Sequence, residues 1–274
     1  MTSSKKTIAC FGATGGCVGA ALAHALKNDH HCTALARDPQ KLRHALTNEH
    51  DVPASTIEQL LTIVEGDVKD TTAVTRALIS PSNPDAIVDI ILSGIGAYPT
   101  FQFSIRQPFP LTDPTISETA IQTIFQVLSG LYAASKPDFP SGKAVEKPLL
   151  VAISTAGCGR RRSVPLSIYL PYHYFLGSPL ADKKRMEALI QRDYAAHVRD
   201  FVIMRPLFLT EGEAKGDGAI RIGWEWGVES IKPNVNEPGP AIGYSISKKD
   251  VGLWIFTNLV TQSGWEGKCV YTVY

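Results

Sequence analysis

The chain has 274 residues, a formal net charge of +1 and 44% hydrophobic residues. That length suffices for one large domain with a substantial core, and the near-neutral charge gives no electrostatic basis for nucleic-acid binding. Five scattered cysteines without a CxxC pair argue against a disulfide framework and against a zinc site, so we predict no metal.

Short apolar runs alternate with helix-like segments along most of the chain. The runs that predict strands are 7–11, 31–36, 61–65, 86–92, 149–153, 201–204 and 268–273. The segments that predict helices are 20–26, 39–46, 71–79, 116–134, 182–196 and 249–260. This alternation predicts an α/β protein, a Rossmann-like doubly wound parallel sheet, in a single domain over 1–274.

Glycine, tryptophan and proline become frequent after residue 210, which predicts a small C-terminal lobe on the substrate side of the sheet. We expect segments 94–114, 158–180 and 207–247 to form that side. The uncharged segment 163–181 contains three prolines, so we predict a pocket wall there and no membrane span. The first strand leaves no room for a cleaved signal peptide, and we expect a cytoplasmic protein. The pattern leaves the oligomeric state open.

The first strand, Thr7–Phe11, runs directly into a glycine-rich turn that opens a helix. Such a turn lets phosphate oxygens approach the backbone, and the helix start points N–H groups at them. The residues predicted to hold a dinucleotide pyrophosphate are Gly12, Thr14, Gly15, Gly16, Cys17 and Val18. Val18 stands where the usual spacing has a third glycine, and Gly19 follows it, which predicts a slightly displaced helix.

The residue after the second strand selects the cofactor. An acidic residue at the end of this strand would exclude a 2′-phosphate, but Ala36 and Arg37 stand there, with Lys41 one turn on. A guanidinium matches phosphate oxygens in a two-point contact, so we predict NADP(H).

Two further strand ends are expected to contact the same dinucleotide. Asp67 and Val68 follow the third strand and are predicted to recognise the adenine edge. Ser93 and Gly94 end the fourth strand, where a glycine permits close approach on the ribose and nicotinamide side.

These motifs occur in an order that resembles the atypical short-chain dehydrogenase/reductase proteins, in the branch with NmrA-like NAD(P)-binding domains. The matching motifs are Gly12-Ala-Thr-Gly15, Ala36-Arg-x-Pro-x-Lys41, Gly66-Asp-Val68, Ile153-Ser-Thr155, Asp182-Lys-x-x-x-Glu187 and Met204-Arg-Pro206. A closer likeness, to the averufin-oxidase-A-like oxidoreductases of fungal polyketide clusters, rests on Val164-Pro-Leu166, Leu170-Pro-Tyr172-His173 and Asp182-Lys-Lys184. This resemblance implies a bulky aromatic small-molecule substrate.

The resemblance also implies a proton donor that the chain lacks. Ordinary members of the superfamily use a Tyr four residues before the active-site Lys; Lys183 fills the lysine place, but position 179 is Pro. Lys183 is still expected to bind the nicotinamide ribose, and Ser154 to orient a substrate oxygen. Tyr172 or His173, in a loop over the same edge, is predicted to replace the missing acid, although both would also suit a pocket wall.

Two other pairs complete the candidates. Pro206 and Leu207 are expected to place backbone groups beside the nicotinamide carboxamide. Tyr244 and Lys248 have the Tyr–Lys spacing, but they follow the sixth strand, and we interpret that match as chance.

The sequence therefore favours an NADPH-dependent oxidoreductase that acts on an aromatic, polyketide-like molecule. Because the usual Tyr is missing, a non-catalytic NAD(P)-binding regulator is the main alternative. An isomerase or dehydratase that keeps the nucleotide as a scaffold is the other.

Overall fold

A computed structural model describes residues 5–97, 111–134, 146–227 and 236–274 of the chain. Its strands are β1 Thr7–Phe11, β2 His31–Ala36, β3 Leu61–Glu65, β4 Ile79–Ser80, β5 Asn83–Ile87, β6 Ile90–Ser93, β7 Leu149–Ile153, β8 Asp200–Met204, β9 Phe208–Thr210, β10 Arg221–Trp226, β11 Ser245–Ser247 and β12 Lys268–Val273. Its α-helices are α1 Gly16–Lys27, α2 Pro39–Asn48, α3 Ala54–Leu60, α4 Thr71–Leu78, α5 Ile116–Ala134, α6 Tyr169–Phe175, α7 Gly177–His197 and α8 Lys248–Ile255. None of the helices within these ranges combines the length and the apolar character that a membrane crossing requires.

Eight of the strands form one sheet, in the order β10-β12-β8-β7-β6-β1-β2-β3. Every neighbouring pair is parallel except β10 and β12, which are antiparallel. The chain direction of strand addition reverses between β1 and β6, and ligands of open α/β sheets bind in the crevice at such a point. The predicted doubly wound, Rossmann-like fold is confirmed.

The sheet is covered on both faces because its strands are apolar on both sides. In β1, Ile8 and Cys10 belong to the core beneath α1 and α8, whereas Ala9 and Phe11 belong to the core beneath α4, α5 and α7. Successive side chains of a strand point to opposite faces, so this alternation places the two helical layers.

Several predicted boundaries differ from the structure. The predicted strand 86–92 is divided: β6 joins the main sheet, whereas β5 pairs with β4 in a separate antiparallel ribbon. The predicted helix 182–196 begins five residues earlier, since α7 starts at Gly177. The last predicted helix is α8 followed by a π-helical turn, Phe256–Val260.

The C-terminal segment contributes to two sheets. β10 pairs with β12 and extends the main sheet by one strand, while β9 and β11 pair in parallel as a small second sheet. The substrate-side role predicted for this segment stays a prediction. Residues 98–110 and 228–235 of the predicted substrate side lie outside the described residues.

Candidate functional site

The glycine turn between β1 and α1 is built for close backbone contact. Gly12 has a φ of +82°, and a Cβ on it would lie 2.9 Å from the carbonyl carbon of Gly94. The N–H of Gly15 donates to the Gly12 carbonyl at 2.9 Å, and Gly15 then begins α1 without a side-chain cap. The first N–H groups of α1 therefore have no helical or side-chain acceptor, which is the arrangement that suits an anion.

The valine at position 18 is accommodated by a glycine on a neighbouring strand end. A Cβ on Gly94 would lie 2.6 Å from Cγ2 of Val18, so the valine occupies space that any side chain at 94 would need. Gly19 makes the close helix–strand contact instead, because a Cβ there would lie 2.7 Å from the Ala13 carbonyl oxygen. The glycine spacing is shifted by one residue without opening the turn.

A pocket of about 240 Å³ opens between the glycine turn and the ends of β2, β3 and β6. It brings together seven of the predicted cofactor residues: Gly12, Thr14, Gly15, Arg37, Asp67, Val68 and Gly94. An ion pair between Lys69 Nζ and Asp113 Oδ2, at 2.6 Å, joins two other lining residues. Gly16, Cys17 and Val18 form the first turn of α1, and Ser93 is the buried last residue of β6.

The two basic residues after β2 are free to contact a ligand. Arg37 and Lys41 are exposed, and neither head group hydrogen-bonds or pairs with another residue in the ranges that the structure describes. Asp38 between them caps α2, accepting the N–H groups of Gln40 and Lys41 at 3.0 Å each.

The surrounding structure constrains two of the predicted cofactor-binding residues, Asp67 and Cys17. Asp67 Oδ1 accepts the Lys69 N–H at 3.0 Å, which leaves Oδ2 as the carboxylate oxygen for an outside donor. Burial raises the pKa of the Cys17 thiol to about 12, so Cys17 fills the turn as a neutral side chain.

Three residues of α7 connect the helix to the site. Asp182 is buried and accepts the N–H of Ser117 at 3.0 Å, which caps the start of α5. Lys183 donates from Nζ to the carbonyl oxygens of Ile95 and Ile153, both at 2.9 Å. The motif Asp182-Lys-x-x-x-Glu187 thus holds together α5 and the ends of β6 and β7.

Lys183 lies at the edge of the sheet where β6 and β7 end. The side chain is partly buried, and desolvation lowers its pKa from 10.5 to about 8. It therefore presents a cation near neutral pH that loses its proton in mildly alkaline solution.

Ser154 belongs to a buried polar cluster. Its hydroxyl donates to Glu187 Oε1 at 2.5 Å, and Arg205 pairs with Glu187 at 2.6 Å and with Glu225 at 3.2 Å. Tyr271 completes the cluster by donating to Glu225 at 2.7 Å. The Ser154 hydroxyl proton is committed to this cluster, so only its lone pairs remain for a ligand; its catalytic assignment stays a prediction.

Thr155 was not among the predicted site residues, but its hydroxyl contacts that of Tyr172, one of the two predicted acids. Its Oγ1 lies 3.0 Å from the Tyr172 hydroxyl, and it is less buried than Ser154. Both residues follow the end of β7 at Ile153, and their hydroxyls enter different surroundings. In the sequence, only the position of Thr155 near the end of a predicted strand indicated that it could belong to the site.

Tyr172 and His173 lie on the short helix α6, which corrects the predicted loop. Tyr172 is buried, its hydroxyl donates to the Ala156 carbonyl at 2.9 Å, and desolvation raises its pKa to about 12. His173 is half-buried, with Nδ1 2.9 Å from the Tyr169 carbonyl oxygen. A carbonyl only accepts, so Nδ1 carries a proton and Nε2 is left for other partners. That nitrogen lies 3.5 Å from the position of a Cβ on Gly157.

The segment after β8 reaches the same edge of the sheet. The Pro206 carbonyl accepts the Ala156 N–H at 2.9 Å, and Leu207 is buried in a small cluster with Tyr172 and Leu180. Tyr244, in contrast, is exposed, and its hydroxyl pairs with that of Ser167 at 2.9 Å. The interpretation of the Tyr244–Lys248 spacing as chance stays a prediction.

Two fungal proteins are similar to this chain over nearly its whole length. Reductase pytE of Aspergillus terreus is 37% identical over 285 residues, which cover 100% of this chain and 100% of that protein. Oxidase pynE of Aspergillus niger is 32% identical over 277 residues, covering 95% of each chain. No protein-family profile matches the chain.

Solved structures share the fold at low sequence identity. The oxidoreductase ylbE of Lactococcus lactis has a TM-score of 0.59 and 17% identity, covering 97% of this chain and 90% of that one. ChuY, an anaerobillin reductase of Escherichia coli O157:H7, has a TM-score of 0.55 and 16% identity, covering 97% and 96%.

Proposed function

The chain is an oxidoreductase of the family that contains reductase pytE and oxidase pynE, and we propose that it uses NADP(H) to reduce or oxidise an aromatic, polyketide-like small molecule. The observation that carries this proposal is the pocket in which the uncapped start of α1, the glycine turn and Arg37 face one space. Both relatives are named as enzymes, so the comparisons give no support to a non-catalytic regulator.

The residues present fit a nicotinamide dinucleotide carrying a 2′-phosphate. Gly12 forms a cradle that a Cβ would fill, since its φ is +82° and Gly94 is in contact with it. Arg37 supplies a guanidinium without a partner in the described chain at the strand end that meets the ribose. When bound, the nicotinamide ring supplies or accepts the hydride.

We infer that Lys183 binds the ribose next to that ring. Its ammonium group uses two of its three protons on the Ile95 and Ile153 carbonyls, which fixes the nitrogen between the ends of β6 and β7. One proton remains for a ribose hydroxyl, as the resemblance to short-chain dehydrogenase/reductase proteins implies for this lysine.

We assign the proton donor to His173 in preference to Tyr172. The Tyr172 proton is held by the Ala156 carbonyl, and its raised pKa makes it a weak acid near neutral pH. The ring of His173 is fixed through Nδ1–H, so that Nε2 can take a proton from solvent and pass it to a substrate oxygen, which leaves the neutral ring protonated at Nδ1. Among the described residues, no hydrogen bond is made to Nε2.

The surroundings of α6 favour an aromatic substrate. Phe208 is 45% exposed, and its ring meets that of Tyr172 edge-on with centroids 5.5 Å apart. Tyr174 and Phe175 are also exposed on α6. An exposed group of aromatic side chains beside a polar site suits a flat apolar ligand. The likeness to averufin-oxidase-A-like oxidoreductases supports the same substrate class.

Cofactor choice is tested by titrating the protein with NADPH and with NADH. Arg37→Ala should weaken NADPH binding by about tenfold or more and leave NADH binding nearly unchanged, because a two-point phosphate contact is lost. Arg43→Ala, on the helix α2 that follows Arg37 but outside the pocket, is the matched control. Equal losses for both nucleotides would remove the phosphate contact from the proposal.

The acid is tested by turnover with an aromatic quinone, followed through the absorbance of the reduced cofactor. His173→Gln should lower kcat by about a hundredfold, the lower range for loss of a general acid, whereas Tyr172→Phe should retain most activity. A large loss in Tyr172→Phe with normal folding, and none in His173→Gln, would reverse the assignment.

A further inference from the structure

Lys248, at the start of α8, lies against the first residue of α1. A Cβ on Gly16 would lie 2.7 Å from Cβ of Lys248 and 2.8 Å from its Cγ. The same helix pair is in contact one turn later, where a Cβ on Gly252 would lie 2.7 Å from the backbone nitrogen of Ala21. Gly16 and Gly252 thus allow α1 and α8 to pack with their N-terminal ends side by side.

This placement brings a cation to the glycine turn from the far end of the chain. Lys248 Nζ forms an ion pair with Glu211, whose side chain is 81% exposed, while that of Lys248 is 28% exposed. Both charges act on the thiol of Cys17 in the first turn of α1: burial raises its pKa, Lys248 opposes that rise and Glu211 adds to it. The Lys248 side chain lies beside Gly16, so its ammonium group is within reach of the first turn of α1.

An exposed lysine–carboxylate pair is a weak interaction, because water screens both charges and the side chains lose conformational freedom. A phosphate carries more charge than a carboxylate and would meet the uncapped N-terminus of α1 as well. Lys248 can thus leave Glu211 when a phosphate occupies the turn.

We propose that Lys248 is a binding residue for the pyrophosphate of the dinucleotide, and that Glu211 holds its ammonium group until the dinucleotide binds. This proposal rests on the proposed cofactor function. It adds a residue from α8 to a pyrophosphate site otherwise made by the turn between β1 and α1. It also explains the glycine at position 16, because a side chain there would displace the aliphatic part of the Lys248 side chain.

The experiment compares two ligands, NADPH and adenosine 2′-monophosphate, by calorimetric titration of the full chain. The second ligand has the adenosine and the 2′-phosphate but no pyrophosphate. Lys248→Met should weaken NADPH binding by about tenfold and change binding of the monophosphate by less than about twofold. Glu211→Gln should strengthen NADPH binding by about threefold, because it frees the lysine.

The next residues along the chain provide matched controls. Lys249 pairs with Glu213 at 2.7 Å, and the side chain of Glu213 is 86% exposed, so the same kind of pair is present one position further. Lys249→Met and Glu213→Gln should leave both affinities within about twofold of the unaltered protein. If Lys248→Met does not fold, as judged by circular dichroism, Glu211→Gln carries the test alone.

Unchanged NADPH affinity in Lys248→Met would overturn the proposal, and so would an equal loss for both ligands. An unaltered or weakened NADPH affinity in Glu211→Gln would also overturn it. Failure of the cofactor function gives a different result: the unaltered protein would bind neither ligand, and the role of Lys248 would fall with it.

Discussion

The contact between Val18 and Gly94 predicts a specific coupling between two positions. In Gly94→Ala, the new methyl group would lie 2.6 Å from Cγ2 of Val18, well inside van der Waals contact. Val18 is 2% exposed and β-branched, so its rotamer on α1 is restricted and it cannot turn away. Overpacking of this kind costs about 1–3 kcal/mol of unfolding free energy.

The compensating change is Val18→Ala. Alone it removes two buried methyl groups, which costs about 1.6 kcal/mol in transfer free energy, with a cavity contribution in addition. In the double variant the nearest remaining atoms, Ile153 Cγ1 and the Cβ at position 18, are both 3.6 Å from the new methyl group, which is an ordinary contact distance. The double variant should therefore be more stable than the sum of the single losses predicts, by about 1–2 kcal/mol.

Urea unfolding without nucleotide, followed by far-ultraviolet circular dichroism, measures all four proteins. Gly130→Ala is the control, because a Cβ there meets nothing within 4 Å on the exposed side of α5. It should stabilise the helix by up to about 1 kcal/mol. Single losses that add to within about 0.5 kcal/mol in the double variant would refute the proposed contact.

Two other predictions concern the buried cluster and Lys183. Arg205→Met should cost about 3–5 kcal/mol of unfolding free energy in urea, because Glu187 and Glu225 would stay buried without their guanidinium partner. The control, Arg192→Met at an exposed position, should cost less than about 0.5 kcal/mol. Similar losses in the two variants would contradict the role of the buried cluster. Nucleotide affinity should fall as pH rises through about 8, where Lys183 loses its charge, and this step should be absent in Lys183→Met. The pKa of Lys183 in the folded protein, about 8, lies below its ordinary 10.5, so the folded state binds fewer protons than the unfolded state between pH 8 and 10.5. The unaltered protein should therefore gain stability relative to Lys183→Met as pH rises from about 8 to about 10.5. A pH profile that is the same in both proteins would contradict the assignment.

The sequence by itself determined the fold class and the location of the glycine turn. Both depend on local requirements: buried parallel strands need apolar residues on both faces, and Gly12 needs the positive φ that glycine adopts freely. The resemblance of the motif from Asp182 to Glu187 to short-chain dehydrogenase/reductase proteins indicated Lys183 as a site residue, and its role stays a prediction. The one-residue shift from Val18 to Gly19 was visible in the sequence, but its compensation by Gly94 was not.

Only the tertiary structure decided which polar groups meet. Ser154 and Thr155 are adjacent in sequence and follow the end of β7, but the packing of α7 and α6 gives their hydroxyls different partners, Glu187 and Tyr172. Arg205 meets partners 18, 20 and 66 residues away, and Lys248 reaches Gly16 only because α8 packs along α1. Such contacts arise from the packing of whole elements, and no local preference of the chain specifies them.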